Sequence, residues 1–154
     1  MKILLATDDS KFAEAAIQAA ISQVRQDHTQ VLGCTWWIGA TLCRVPFPEA
    51  GRNRCYSARQ LESIIEGETT KAHELVTSAA ERLRSAGFEA STSVRERDPK
   101  AVILDCATEW GADLIIVGSH GRKGVARFVL GSVSEAVARY ARCSVEIVRP
   151  PTNV

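Results

Sequence analysis

The chain has 154 residues, 45% of them hydrophobic, 24% charged and 6% aromatic, with a net charge of +1. A globular domain of this length buries about two-thirds of its unfolded surface, so it needs neither disulfides nor a metal to hold it together. Balanced charge argues against a protein that binds nucleic acid by neutralising phosphates, and the apolar fraction argues against extended disorder.

Lys2 to Thr7 reads as a short apolar strand ended by Asp8-Asp9-Ser10, too short to serve as a secretory core. Ala13, Ala16, Ile17, Ala20, Ile21 and Val24 recur at helical spacing, predicting a helix over Lys11 to Gln26 with Ser10 as its N-cap. Gln30 to Ile38 is a second strand, and Gly39 to Tyr56, with Pro46, Pro48, Gly51 and Asn53, is a long loop. A second helix runs through Leu61, Ile64, Ala72, Val76, Ala79 and Leu83 to Gly87, with Gly67 as a point of bending or interruption.

The second half repeats this alternation. Phe88 to Arg95 is a strand with interleaved polar residues, as at a sheet edge, and Asp98-Pro99 opens a helix that continues over Ala101 to Trp110. Ala112 to Val117 is apolar throughout, as a central parallel strand requires. Gly118 to Leu130 is a glycine-punctuated loop, Ser132 to Arg142 a helix, and Cys143 to Val148 the last strand. No apolar run approaches the roughly 20 residues that span a bilayer. Cys34, Cys43, Cys55, Cys106 and Cys143 are odd in number and irregularly spaced. They are read as reduced and mainly structural, with a redox role for Cys43 and Cys55 left to exposure and thiol pKa. His28, His73 and His120 are equally scattered, unlike the paired ligands of a structural zinc site.

Five alternations of strand and helix predict an α/β fold, an open doubly wound parallel sheet with helices on both faces. Residues 1–150 are expected to form one domain and 151–154 a short tail. Ligands bind such sheets at the carboxyl ends of strands, where the winding reverses. Two segments compete for that place: Thr7-Asp8-Asp9-Ser10 and the glycine loop.

The glycine loop reads Gly118-Ser119-His120-Gly121-Arg122-Lys123-Gly124, then Val125 to Leu130, then Gly131-Ser132-Val133-Ser134-Glu135. Glycines let backbone N–H groups approach an anion, and the start of the following helix offers free N–H groups and a favourable dipole. Neither the usual P-loop nor G-x-G-x-x-G is present. Ser132 and Glu135 equally fit a capping box, with the glycines as ordinary turn residues. From chemistry alone both readings stand.

The spacing Gly118-x2-Gly121-x9-Gly131-Ser132 resembles the ATP-binding signature of the universal stress protein family. Ala112 to Ser119, Arg127 to Glu135, the closing Cys143 to Arg149 and the opening Ile3 to Ser10 are similar to that family's flanking segments. The resemblance implies a Rossmann-like sheet of strand order 3-2-1-4-5, as in adenine nucleotide alpha hydrolases. It also implies ATP, accompanied by Mg²⁺ or Mn²⁺ on the phosphates. Gly118 and Gly121 would line ribose and phosphates, and Gly131, Ser132, Val133 and Ser134 would hold phosphates. Asp8 would face ribose and adenine, with the second-strand contact near Trp36. Thr7, Ser119, His120 and Arg127 complete the expected nucleotide site. A cytoplasmic stress-response module is implied, homodimeric through Cys143 to Val148.

Three positions depart from the family pattern. Trp36-Trp37 is bulkier than usual, able to stack on adenine, to fill its pocket, or to pack in a core or dimer contact. Arg97 replaces a common glycine, and Ser144 a common proline.

His120 has no evident carboxylate partner and reads as a loop residue beside the ligand rather than a general base. Asp8 and Asp9 suit a hydrated Mg²⁺, although Asp9 also reads as a solvated turn residue. A phosphoacceptor receiver is excluded, because Pro48 to Tyr56 supplies no Asp and the last strand is followed by Arg149 rather than Lys. No catalytic residue is assigned. Slow ATP turnover is compatible with the site but not demanded by it. The alternative is a dimerising interaction module that binds no nucleotide.

Overall fold

The computed structural model describes residues 1–37, 57–121 and 130–151. Five parallel strands alternate with four helices: β1 (Lys2–Ala6), α1 (Lys11–Gln23), β2 (Gln30–Trp37), α2 (Ala58–Ser85), β3 (Glu89–Glu96), α3 (Pro99–Trp110), β4 (Leu114–Gly118), α4 (Ser132–Tyr140) and β5 (Ser144–Val148). The sheet order is β3-β2-β1-β4-β5, as expected. Gly39 to Tyr56, with Cys43 and Cys55, lies outside the described residues.

Side chains alternate across each strand, and the two central strands feed both faces. Ile3 and Leu5 of β1 and Ile116 of β4 pack with Ala16, Ile17, Ala20, Ala79 and Leu83 of α1 and α2. Leu4, Ala6, Ile115 and Val117 pack instead with Val102, Ile103 and Ala107 of α3 and Val137 of α4. Burial on both faces is why β1 and β4 carry apolar runs rather than alternation. β3, at the edge, is largely polar and none of its residues is fully buried.

Helix ends follow local chemistry. The Ser10 hydroxyl accepts from Ala13 N–H at 3.2 Å, and Asp98 accepts from Lys100 N–H at 3.0 Å. Ser57 and Gln60 satisfy each other's backbone N–H groups in a full capping box. α1 stops at Gln23, three residues short of Gln26, because Val24 turns extended and joins the core. The chain then needs a turn to reach β2: Thr29 N–H donates to Gln26 O, and His28 sits at φ 58°. β4 begins at Leu114 rather than Ala112, since Asp113 is occupied with Lys2. Its N–H donates to Lys2 O at 2.8 Å, and its carboxylate accepts Lys2 N–H at 2.7 Å.

Gly67 does not break α2, which is continuous for 28 residues. Among the described residues a Cβ there would meet nothing within 4 Å. Gly67→Ala is therefore expected to stabilise the protein by about 1 kcal/mol through helix propensity. Thermal unfolding should show a Tm rise of roughly 2–4 °C. No rise would mean that glycine serves a contact at that point of the helix.

Candidate functional site

The strand order reverses between β1 and β4, and the carboxyl ends of these strands meet. The turn after β1 is fixed by Asp8, whose Oδ1 accepts from both the N–H and the hydroxyl of Ser10. This leaves Oδ2 facing the glycine loop, where a Cβ built on Gly121 would lie 3.0 Å from it. Asp8 and Gly121, 113 positions apart in sequence, are thus brought into one place.

The other expected residues fall into two groups. Ser132, Val133 and Ser134 form the first turn of α4, and Gly131 is its N-cap. The N-cap Gly131 has no side chain to offer, so the capping box that Ser132 and Glu135 also fit in sequence is not formed. Glycine stands at the cap for a steric reason. Gly131 N–H donates to Ser119 O at 2.8 Å, and a Cβ would lie 3.1 Å from that oxygen and 3.2 Å from His120 Cα. The N–H groups of residues 132–134 stand at the helix N-terminus, where the dipole favours an anion.

Thr7, Ser119, Gly118 and the Ser134 side chain are packed or bonded within the fold. Thr7 is buried, its N–H donating to Cys34 O at 2.8 Å and its hydroxyl directed at the same oxygen. Ser119 is buried and donates its N–H to Val148 O at 2.8 Å. The Ser134 hydroxyl turns inward, 2.8 Å from Ser119 O and 2.9 Å from Gly131 O. Gly118 lies beneath α1, where a Cβ would sit 2.7 Å from the carbonyl carbon and oxygen of Phe12. Arg127, Arg122 and Lys123 lie outside the described residues.

His120 places Nδ1 3.2 Å from Ser119 Oγ, and its ring rests 5.0 Å from that of Phe12. Among the described residues it has no carboxylate partner. Phe12 was not singled out from the sequence. It occupies the second position of α1, and only the fold sets it against the loop.

Beside Asp8 opens a cleft of about 410 Å³ between the ends of β1 and β2 and one face of α2. Asp8, Asp9, Thr35 and Trp36 line one side, and Glu68, Lys71, Ala72, Glu74 and Leu75 the other. The α2 wall was also missed from sequence, although positions 68, 71, 72 and 75 form a single helical stripe. Four carboxylates against one ammonium make this lining acidic. Trp36 is shared, packing against the α3-side core while it lines the cleft. Its ring thus takes the core role at least in part. Among the described residues no group of three or more His, Cys, Asp or Glu side chains is placed to hold a metal ion.

A sequence profile of the universal stress protein family matches residues 1–149. The chain belongs to that family. It is 31% identical over 150 residues to the universal stress protein Sll1388 of Synechocystis, covering 96% of this chain and 97% of that one. Its fold is similar to that of the universal stress protein UspA from Lactobacillus plantarum, with a TM-score of 0.77 at 20% identity, covering 97% of each chain. It is also similar to a universal stress protein family protein from Arabidopsis thaliana with AMP bound, with a TM-score of 0.71 at 15% identity, covering 99% of this chain and 94% of that one.

Two departures from the usual universal stress protein residues have local accounts. Arg97 pairs with Asp105 at 2.8 Å, fastening the β3–α3 turn to the helix it precedes. Ser144 donates its N–H to Asp113 O, a bond that proline cannot make. Neither touches Gly121, Gly131 or the first turn of α4.

Proposed function

We propose that this universal stress protein binds ATP across the β1–β4 switch point and acts as a nucleotide-dependent regulatory module in the cytoplasm. The observation that carries the reading is the glycine-capped first turn of α4 beside the Asp8–Gly121 approach. The acidic cleft repels phosphates, whereas the α4 terminus attracts them. This polarity sets the direction of the ligand, with adenine and ribose toward Asp8, Thr35 and Trp36 and phosphates toward residues 131–134. The AMP in the Arabidopsis relative is in keeping with the adenosine half. Arg127 and the glycines at 118 and 121 belong to the phosphate side of this reading.

Mg²⁺ or Mn²⁺ would neutralise the phosphates and arrive with them, with Asp8 or Asp9 as outer ligands through water. Nothing in the site assigns a catalytic base, so turnover is slow or absent. Nucleotide favours one arrangement of residues 118–130 and thereby changes the surface offered to a partner. A homodimer through β5 would cover an open sheet edge that is otherwise a liability. Tyr140 on the neighbouring α4 is 65% exposed in the single chain.

Titration calorimetry with Mg-ATP, AMP and cAMP tests the proposal. One equivalent of ATP is expected to bind, more tightly than AMP because of the added phosphate contacts. No binding of any of the three would leave the dimerising interaction module as the function.

A further inference from the structure

Cys34 of β2 and Cys106 of α3 are 72 positions apart in sequence, yet their sulfurs stand 3.7 Å apart in the core. The juxtaposition has a topological cause. Cys34 pairs in register with Ser93 of β3, and α3, the helix that follows β3, crosses back over that face of the sheet. A sulfur pair at van der Waals contact needs only small side-chain rotations to reach the bonded separation of about 2.05 Å.

Two small apolar residues would fill this space equally well, so contact alone does not distinguish a reactive pair from packing. The surroundings do. The Ser93 hydroxyl lies 3.8 Å from Cys106 Sγ. Arg95 lies two residues further along the same face of β3, held by Glu109 at 2.6 Å and 3.3 Å one turn beyond Cys106. A hydroxyl and a guanidinium beside a buried thiol are an environment for a thiolate rather than for a methyl group.

We infer that Cys34 and Cys106 are a redox-active dithiol, a modification site at which hydrogen peroxide closes a disulfide between β2 and α3. Cys106 attacks first. The Cys34 thiol and the Ser93 hydroxyl donate toward its sulfur, and together with Arg95 they lower its pKa against the opposing effects of burial and of the Glu109 carboxylate. Cys34 keeps its proton, because two adjoining thiolates would repel; its pKa is pushed far up. The Cys106 thiolate takes one oxygen from peroxide, giving a sulfenic acid and hydroxide, which the released thiol proton converts to water. The Cys34 sulfur then attacks the sulfenic sulfur. An S–S bond forms, the S–O bond breaks, and the hydroxyl leaves as water with the Cys34 proton. In sum two thiols and one peroxide give one disulfide and two waters. Peroxide reaches Cys106 past Ser93 and Arg95, which are half-buried on the edge strand.

The test uses the full chain carrying Cys43→Ser, Cys55→Ser and Cys143→Ala, with circular dichroism to verify folding. Hydrogen peroxide without denaturant is expected to remove both remaining thiols together, with an intact mass lower by two hydrogens and reversal by dithiothreitol. Peptide mapping should recover Cys34 joined to Cys106. Adding Cys34→Ala should stop the reaction, more slowly, at a dimedone-reactive sulfenic acid on Cys106. Adding Cys106→Ala instead should leave Cys34 unreactive. Thiols that persist until the protein unfolds, or that gain oxygens independently without a crosslink, would overturn the inference. So would a Cys34 that reacts first when Cys106 is absent.

Discussion

Gly118→Ala, the smallest change possible at that position, is expected to destabilise the protein by about 2–3 kcal/mol or more. The added methyl would lie 2.7 Å from the Phe12 carbonyl carbon and oxygen and 2.8 Å from its Cβ. Two of these three atoms are backbone, so no rotamer change relieves the overlap. Nor is either partner free to move. β4 is held at this point by its register with Val148 and by the bond from Ser119 N–H to Val148 O. α1 is held by its Ser10 cap and by buried Ala13, Ala16 and Ile17. The backbone of Gly118 has no positive φ, so the penalty is contact and not conformation. Urea unfolding should show the midpoint falling by roughly 1 M or more at an unchanged slope. Phe12→Ala in the same chain should not rescue it, because the clash is with the peptide group. A midpoint equal to that of the parent would show that α1 can rise without cost. The steric reading of Gly118 would then be lost.

Much of this architecture is legible in the sequence, for a physical reason. β1 and β4 are buried on both faces, so their apolar runs have few other interpretations, and α3 announces itself through Asp98-Pro99. The misreadings arise where a distant contact decides a local choice. Ser132-Val133-Ser134-Glu135 satisfies the pattern of a capping box, yet α4 takes Gly131 as its N-cap, where a Cβ would crowd Ser119 O at 3.1 Å. A distant contact likewise turns the hydroxyls of Thr7 and Ser134 toward Cys34 O and Ser119 O. The same limit applies to what was overlooked. Phe12, Lys71 and Cys106 belong to no motif, and each acquires its neighbour from another element: His120, the β1–β2 cleft and Cys34. Cysteine spacing along the chain argues against a disulfide framework, but it says nothing about two thiols that the crossover places together.

Gly121→Val is expected to weaken ATP binding a hundredfold or more, equivalent to about 2.7 kcal/mol, with little change in thermal stability. Among the described residues a single atom constrains this position: a Cβ would meet Asp8 Oδ2 at 3.0 Å. A carboxylate on a rotatable bond can withdraw, so the fold tolerates the change that the ligand does not. The branched side chain would occupy the gap between the acidic turn and the loop, where the proposed ligand passes from ribose to phosphate. Asp8→Asn separates the two contributions to that gap. The amide keeps an oxygen to accept from Ser10, so the turn survives, while Oδ2 becomes an N–H₂ group that cannot accept from a ribose hydroxyl. Its effect should be smaller, about tenfold in affinity or 1.4 kcal/mol, and should appear equally for ATP and AMP. Loss at Gly121 should instead be graded with the number of phosphates. Equal affinities in parent, Gly121→Val and Asp8→Asn would place any bound nucleotide elsewhere on the protein. The glycine-capped terminus of α4 would then be a feature of folding alone.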